Sequence, residues 1–373
     1  MPAAGQIVAK DNGAVVVLTC CAPYGVGGLG RTLSDTADTL CADGQPFRVY
    51  ATDVGTGGSL GAALTCVRPR LPGVLARIPP IRFDMGWQQY LDFEHFDRAV
   101  ARRLDRRSTP AIGSLVGSAG QSLHTFKRAR ALGCRRLELV SATGHLGHVW
   151  RQHRLAARRY SIERDWLNRP HLERALAEYA MADVIYVGTT YAWNTFVREG
   201  IPTSKLRRLS VSADRRFTPA TRERSASDDV FRIVYTGALS VVKGVPLLLD
   251  AFEALIGERA ELTLVGWTGS RGMRRFIDAR CAQNAQVRVA PGDPLPHLQQ
   301  ADLYVHPSYQ DGFGYAVAEA LACGVPVVVT EDTGAKELVA CGVNGDIVPT
   351  DSIDAIRAAL VRRYRQWREG GRG

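Results

Sequence analysis

The chain has 373 residues, 46% hydrophobic and 23% charged, with 37 glycines and a formal net charge of +10. That length suits two domains, each with its own core, and the composition excludes a disordered, collagen-like or coiled-coil chain. No apolar run approaches the roughly 18–20 residues of a membrane-spanning helix, and Lys10, Asp11 and Asn12 stand where an export signal needs an apolar stretch, so a cytoplasmic chain is expected.

Strand-forming runs alternate with helical patterns, the signature of βαβ units and parallel sheets. The first strand is expected at Ala14–Cys20, then a glycine-rich turn, a helix over Arg31–Ala42 and a strand at Phe47–Asp53. Residues 54–92 show no clear period and read as a long functional loop with a short hairpin. A strand at Ala111–Val116, a helix at His124–Leu132 and a strand at Arg136–Ala142 follow. A long helical stretch over Val149–Met181 breaks near Asn168–Pro170, and a strand at Asp183–Gly188 and a helix at Tyr191–Glu199 close the series.

Phe217–Asp229 is polar, with proline, serine and charge, and reads as a linker. A second series begins after it. Strands are expected at Phe231–Gly237, Glu261–Val265, Val287–Ala290, Leu303–His306 and Val325–Thr330. The helices between and after them fall at Pro246–Ile256, Met273–Asn284, Leu295–Gln300, Tyr315–Cys323 and Ser352–Arg368. The expected fold is α/β, with two Rossmann-like doubly wound domains facing across a cleft. Their bounds are 1–215 and 231–373 around a linker at 216–230, with the last helix able to pack back on the first domain. Ligands of such sheets sit beyond the carboxyl ends of the strands.

The eight cysteines contain no C-x-x-C pair, which disfavours a zinc ribbon or a disulfide framework. Arginines cluster at Arg98–Arg107, Lys127–Arg136 and Arg151–Arg169, and Arg98, Arg102 and Arg106 share one helix face. Such a surface is either a solvated face or a docking face for polyanions, including peripheral membrane contact. No recognised nucleic-acid motif accompanies it, so nucleic acid is not expected as a partner.

Four segments carry candidate chemistry. In His306–Pro326 a strand ends, a loop with Gly312 and Gly314 follows, and a helix opens near Phe313–Tyr315; Asp311 precedes the opening and Glu319 lies inside the helix. Backbone N–H groups at such an opening point at an anion, helped by the helix dipole. In Tyr235–Gly244, Gly237 and Lys243 stand at the entrance of a helix that Pro246 suits in its first turn. Gly25, Gly27 and Gly30 satisfy G-x-G-x-x-G after a strand, with Asp53 ending the next strand, which is on paper a dinucleotide-binding fingerprint. His145 follows another strand, with His148 and His153 close by; no carboxylate or cysteine completes a metal-site spacing around them.

The Asp311–Glu319 element resembles the E-x7-E element of retaining GT-B glycosyltransferases of family 4, with Asp311 at the first position in place of Glu. Tyr235–Gly244 resembles that family's G-R-L-x-x-x-K-G stretch, with Lys243 matching and Ala238 in the arginine position. Glu178–Thr189, Ser210–Pro219, Gly334 and Glu337–Val339 extend the resemblance, which covers most of 136–350.

The resemblance implies a GT-B fold, an N-terminal acceptor-binding domain, a C-terminal nucleotide-sugar-binding domain and transfer of a sugar from a UDP- or GDP-sugar with retention of configuration. It implies that Asp311 and the backbone of Gly312, Phe313, Gly314 and Tyr315 orient the sugar. Glu319 would hold the ribose, and Lys243 with Gly237 the diphosphate. Gly27 and Gly28 would meet the donor phosphate and acceptor, and His145 the donor sugar, with His148 an equal match for that position. The acceptor would be a glycan, a lipid-linked sugar or a small molecule. No D-x-D triplet occurs, in keeping with metal-free chemistry without a cofactor. A catalytically silent nucleotide-sugar binder and, on the glycine fingerprint, a nicotinamide dehydrogenase are the alternatives.

Overall fold

The computed structural model describes residues 14–54, 63–69, 85–105, 111–220 and 229–370. The chain forms two compact units, one of Met1–Trp150 with Asp165–Ser210 and the other of Arg151–Arg164 with Val211–Gly373. Residues 151–164, expected in the first domain, group with the second unit, whose main segment begins at Val211 and so takes in the stretch expected as a linker. Of the expected linker, residues 221–228 lie outside the described residues, as do Arg106 and Arg107.

In the first unit the elements run β1 (Val15–Thr19), α1 (Gly27–Ala42), β2 (Phe47–Ala51), β3 (Leu64–Cys66), α2 (Met85–Arg103), β4 (Ile112–Ser118), α3 (Leu123–Ala131) and β5 (Arg136–Ser141). They continue with α4 (Leu146–Arg159), α5 (Arg169–Met181), β6 (Val184–Val187), α6 (Thr190–Arg198) and β7 (Leu206–Arg208). The strands form one parallel sheet in the order β3-β2-β1-β4-β5-β6-β7. Continuous β-branched and leucine runs such as VVVLT in β1 suit strands buried on both faces. Alternate residues go to opposite sides. Val15 and Val17 join Leu115, Phe126, Tyr179 and Phe196 in one core layer, and Val16 and Leu18 join Leu33 and Leu40 of α1 in the other.

Two elements in the region read as a loop differ from expectation. Leu64–Cys66 pairs in parallel with β2, so it is a crossover strand at the sheet edge and no hairpin partner of it. The basic helix begins at Met85, well before the arginines that announced it. Residues 55–62 and 70–84 of that region lie outside the described residues.

One ionic cluster holds the helices under this sheet. Arg174 on α5 contacts Glu94 and Asp97 on α2 and lies 3.4 Å from Glu178, with exposures of 3% for the Arg174 side chain and 0% for Asp97 and Glu178. Glu178 accepts the N–H groups of Gly120 (2.5 Å) and Ser122 (2.7 Å), and Asp97 those of His124 (2.7 Å) and Thr125 (2.8 Å). The orphan donors of the α3 N-terminus are thereby satisfied by buried carboxylates. Burial raises the Glu178 carboxyl to about 7, against the opposing pull of Arg174 and the two N–H bonds.

In the second unit the elements run β8 (Phe231–Thr236), α7 (Val245–Phe252), β9 (Ala260–Val265), α8 (Arg271–Gln283), β10 (Val287–Ala290), α9 (Leu295–Leu298) and β11 (Leu303–His306). Then come α10 (Tyr315–Ala322), β12 (Val327–Thr330), β13 (Gly345–Val348) and α11 (Ile353–Gly370). All strand pairs are parallel, in the order β10-β9-β8-β11-β12-β13. Phe231, Ile233 and Tyr235 of β8 face one core layer with α7, α8 and α11, and Val234 faces the other with α10. The last helix belongs to this unit: Ile356, Leu360 and Tyr364 lie in its core, and Phe231 packs edge-on against Tyr364 at 5.7 Å. The segment 151–164 completes the same core through Ala156, and Tyr160 Oη donates to Asp250 (2.5 Å).

Candidate donor site at the second sheet

A doubly wound sheet reverses its strand order at one point, where the outgoing loops part and leave room for a ligand. In the second unit that point lies between β8 and β11. The loop after β8 carries Gly237 and Lys243, and the loop after β11 carries Asp311 and Gly312.

The β8 loop is pinned on several sides. Val241 N–H donates to Glu163 Oε1 (2.5 Å), and Tyr309 N–H to Val242 O (3.0 Å). Gly244 has φ +71°, and a Cβ there would stand 1.9 Å from Pro307 O, so only glycine lets the two loops approach this closely. The approach delivers Lys243 Nζ to Asp311 Oδ2 at 2.6 Å. His306 Nε2 lies 3.1 Å from the same oxygen and donates to it, and Tyr304 Oη lies 3.1 Å from His306 Nδ1. Asp311 Oδ1 accepts the Gly314 N–H (3.1 Å). Burial would raise the Asp311 carboxyl, but Lys243 and His306 outweigh it and hold the group well below the usual carboxylate range. Asp311 is therefore an anion at any working pH.

Helix α10 opens at Gly314, in the left-handed region at φ +81°. Gly312, Phe313 and Gly314 are buried, Tyr315 and Glu319 are half-buried, and the Phe313 and Tyr315 rings meet edge-on at 4.8 Å. Burial pushes the Tyr304 phenol well above its ordinary value, against its hydrogen bond to Thr236 O (3.4 Å). Arg216 donates to Asp293 (2.8 Å) in the loop after β10 and also feels the Glu319 charge. Ala238, in the arginine position of the motif, offers its carbonyl to Tyr235 Oη (2.8 Å).

The sequence-predicted residues of the first unit have other surroundings. Gly27 is exposed and Gly28 half-buried at the start of α1, whose cap residue Val26 has no side-chain hydrogen bond. Gly25 and Gly27 have φ of +72° and +67°, and Gly30 lies against Pro23 O, where a Cβ would come within 2.2 Å. Asp53, the acid of the dinucleotide fingerprint, is exposed beside Arg68 at 3.5 Å.

His145 was expected at an open strand end. Its ring is 3% exposed, between Tyr179 (4.8 Å) and Phe196 (5.1 Å), and its Nδ1 accepts the Gly147 N–H at the start of α4. The aromatic side chains of α5 and α6 close over it. His148 is also buried, with Nε2 3.0 Å from Tyr191 Oη. Among the described residues no group of three His, Cys, Asp or Glu is arranged to hold a metal ion.

Residues 230–366 match the family model described as glycosyl transferases group 1. The D-inositol 3-phosphate glycosyltransferase of Geodermatophilus obscurus is 30% identical over 172 residues, 40% of this chain and 38% of that protein. The O-antigen chain mannosyltransferase B of Escherichia coli is 31% identical over 147 residues, 36% of this chain and 38% of that protein. The chain thus spans about two fifths of the length of these curated relatives. Solved structures match nearly end to end. Sucrose-phosphate synthase of Thermosynechococcus elongatus superposes with TM-score 0.69 at 18% identity, over 94% of this chain and 90% of that one. The fold is GT-B. WaaG, titled as a glycosyltransferase of lipopolysaccharide biosynthesis, gives TM-score 0.66 at 15% identity, over 94% and 90% of the two chains. The GT-B sheets account for the parallel order and the switch point of each unit.

Three further residues, His306, Tyr304 and Glu163, hold this site together. His306 and Tyr304 were visible as the polar end of a buried strand, five and seven residues before Asp311, a signal that singles out residues sharing one strand end. Glu163 carried no signal, since it reaches Val241 across 78 positions of chain.

Proposed function

We propose that the chain is a retaining glycosyltransferase that moves a sugar from a nucleoside diphosphate sugar to an acceptor hydroxyl in glycan, glycolipid or glycoside biosynthesis. The observation that carries this reading is the Lys243–Asp311 pair at the β8/β11 switch point, with Glu319 farther along the helix that Asp311 helps to open. In this reading Lys243 and the N–H groups at the start of α10 bind the diphosphate and stabilise the charge that develops on it as it departs. Asp311, fixed as an anion by Lys243 and His306, accepts hydrogen bonds from the hydroxyls of the transferred sugar, and Glu319 does so from the ribose. Lys243 and the helix dipole serve in place of a metal ion.

Gly27 and Gly28 of α1 would serve the donor phosphate or the acceptor, and a donor contact by His145 would require its ring to leave the Tyr179–Phe196 pair. Structures similar in fold are titled as complexes with UDP and UDP-glucose, which supports a uridine or other nucleoside diphosphate sugar here. Exposed Arg151, Arg154 and Arg158 on α4 support an anionic or lipid-linked acceptor and peripheral contact with the cytoplasmic face of a membrane. No helix among the described residues is long and apolar enough to cross one.

The deciding assay follows nucleoside diphosphate release from a panel of UDP-, GDP- and ADP-sugars, with the anomeric configuration of the product read by NMR. Release with retention is expected. Nucleotide binding without turnover would favour a silent binder, and an inverted product would remove retention.

A further inference from the structure

The loops at the carboxyl end of the second sheet follow the strand order, so those after β10, β9, β8 and β11 stand side by side. On the reading above, the diphosphate lies at the β8 and β11 loops and the ribose at Glu319. Arg216 is bonded to Asp293 in the β10 loop, and Leu239 N–H of the β8 loop donates to Trp267 O, so these loops are joined side by side at the sheet end. The β9 loop stands between the β10 and β8 loops, and it carries Trp267.

Trp267 is 70% exposed, and its indole has no hydrogen bond or ring contact among the described residues. Its backbone, by contrast, is fixed. Leu239 N–H donates to Trp267 O (2.9 Å), Gly266 N–H to Ala290 O (3.3 Å), and Gly237 N–H to Val265 O (3.0 Å). Gly266 at φ +155° sits so close to Gly237 that a Cβ there would meet Gly237 O at 1.9 Å. On the far side Thr268 Oγ1 accepts the Ser270 N–H (3.1 Å), and Ser270 caps α8 through Met273 N–H (3.2 Å). A large flat apolar side chain is thus held at a ligand-bearing sheet end by a backbone bonded to both neighbouring loops.

We infer that Trp267 is the stacking platform for the nucleobase of the donor. Stacking on an aromatic side chain is tolerant of base identity, so hydrogen bonds from neighbouring groups would set the choice among bases.

The test is calorimetric titration of the full chain with UDP, GDP and ADP, for the unaltered protein, Trp267→Ala, Trp267→Phe and Lys243→Met. An exposed side chain can be truncated without unfolding the unit, and a thermal midpoint within a degree or two of the parent checks this. The expected result is a loss of about tenfold in nucleotide affinity for Trp267→Ala, with Trp267→Phe within about twofold of the parent. Quenching of indole fluorescence by the nucleotide should also fall in both Trp267 variants. Full affinity in Trp267→Ala, or equal losses in both Trp267 variants, overturns the stacking role; if Lys243→Met weakens binding in that same series, the donor site itself stands. Absence of nucleotide binding by the unaltered chain overturns both.

Discussion

Each unit contains an ionic cluster, three acids around Arg174 in the first and Asp311 between Lys243 and His306 in the second, and the two are finished differently. In the first, Arg174 is enclosed by Glu94, Asp97 and Glu178, and every carboxylate but Glu94 is also spent on backbone N–H groups at the start of α3. In the second, Lys243 and Asp311 retain side-chain exposures of 30% and 19%, at the sheet's switch point. An enclosed cluster leaves no face for a ligand and works as a fastening between helices. An open one keeps donors and lone pairs available, so ionic groups of the same types become binding machinery. Burial, more than the identity of the charges, separates the two uses.

The largest effect is expected at the enclosed cluster. Arg174→Met leaves carboxylates buried without their cation and should cost about 3–5 kcal/mol of stability, measured by denaturant unfolding. A change under 1 kcal/mol would show that the cluster fastens nothing. Lys243→Met should reverse this pattern, leaving the unfolding midpoint nearly unmoved while transfer falls about 100-fold, the scale of one lost charge-stabilising donor. Stability loss without loss of turnover in that variant would erase the distinction between the clusters. Glu319→Gln should weaken kcat/KM about tenfold or more, as expected for one hydrogen bond accepted by a charged group, and unaltered kinetics would remove its ribose role.

The smallest effect is a slope with pH. The Glu178 carboxyl titrates near 7 in the folded unit and lower when unfolded, so its protonated form is favoured by folding. The stability tied to it is fully present below the unfolded value and disappears as pH rises to about 7. The thermal midpoint of the protein should therefore decline more steeply between pH 5 and 7 than that of Glu178→Gln, and parallel profiles would assign the slope elsewhere.

The second site was largely legible because its signals are local. The strand end, the glycines, Asp311 and Glu319 fall within one strand–turn–helix passage, and the spacing alone sets them along one helix opening. Lys243 was equally readable from its helix entrance. His145 was not, because its cover comes from Tyr179 and Phe196, brought in by α5 and α6. The Arg174 cluster was invisible for the same reason: Glu94 and Arg174 look like solvated helix residues until α2 and α5 pack together. The parallel pairing of β3 lay beyond reach too, since three residues carry no period from which to read a direction.

Helix α4 begins among first-unit residues and its chain then enters the second unit before Asp165 returns to the first. No single cut of the gene can release either unit whole. A fragment beginning at the polar stretch before β8 would lack Ala156 in its core, the Tyr160 hydroxyl on Asp250 and the Glu163 carboxylate on Val241. Separate production of the halves would thus loosen the very loop that presents Lys243, whereas a circularly permuted chain opened elsewhere would keep it.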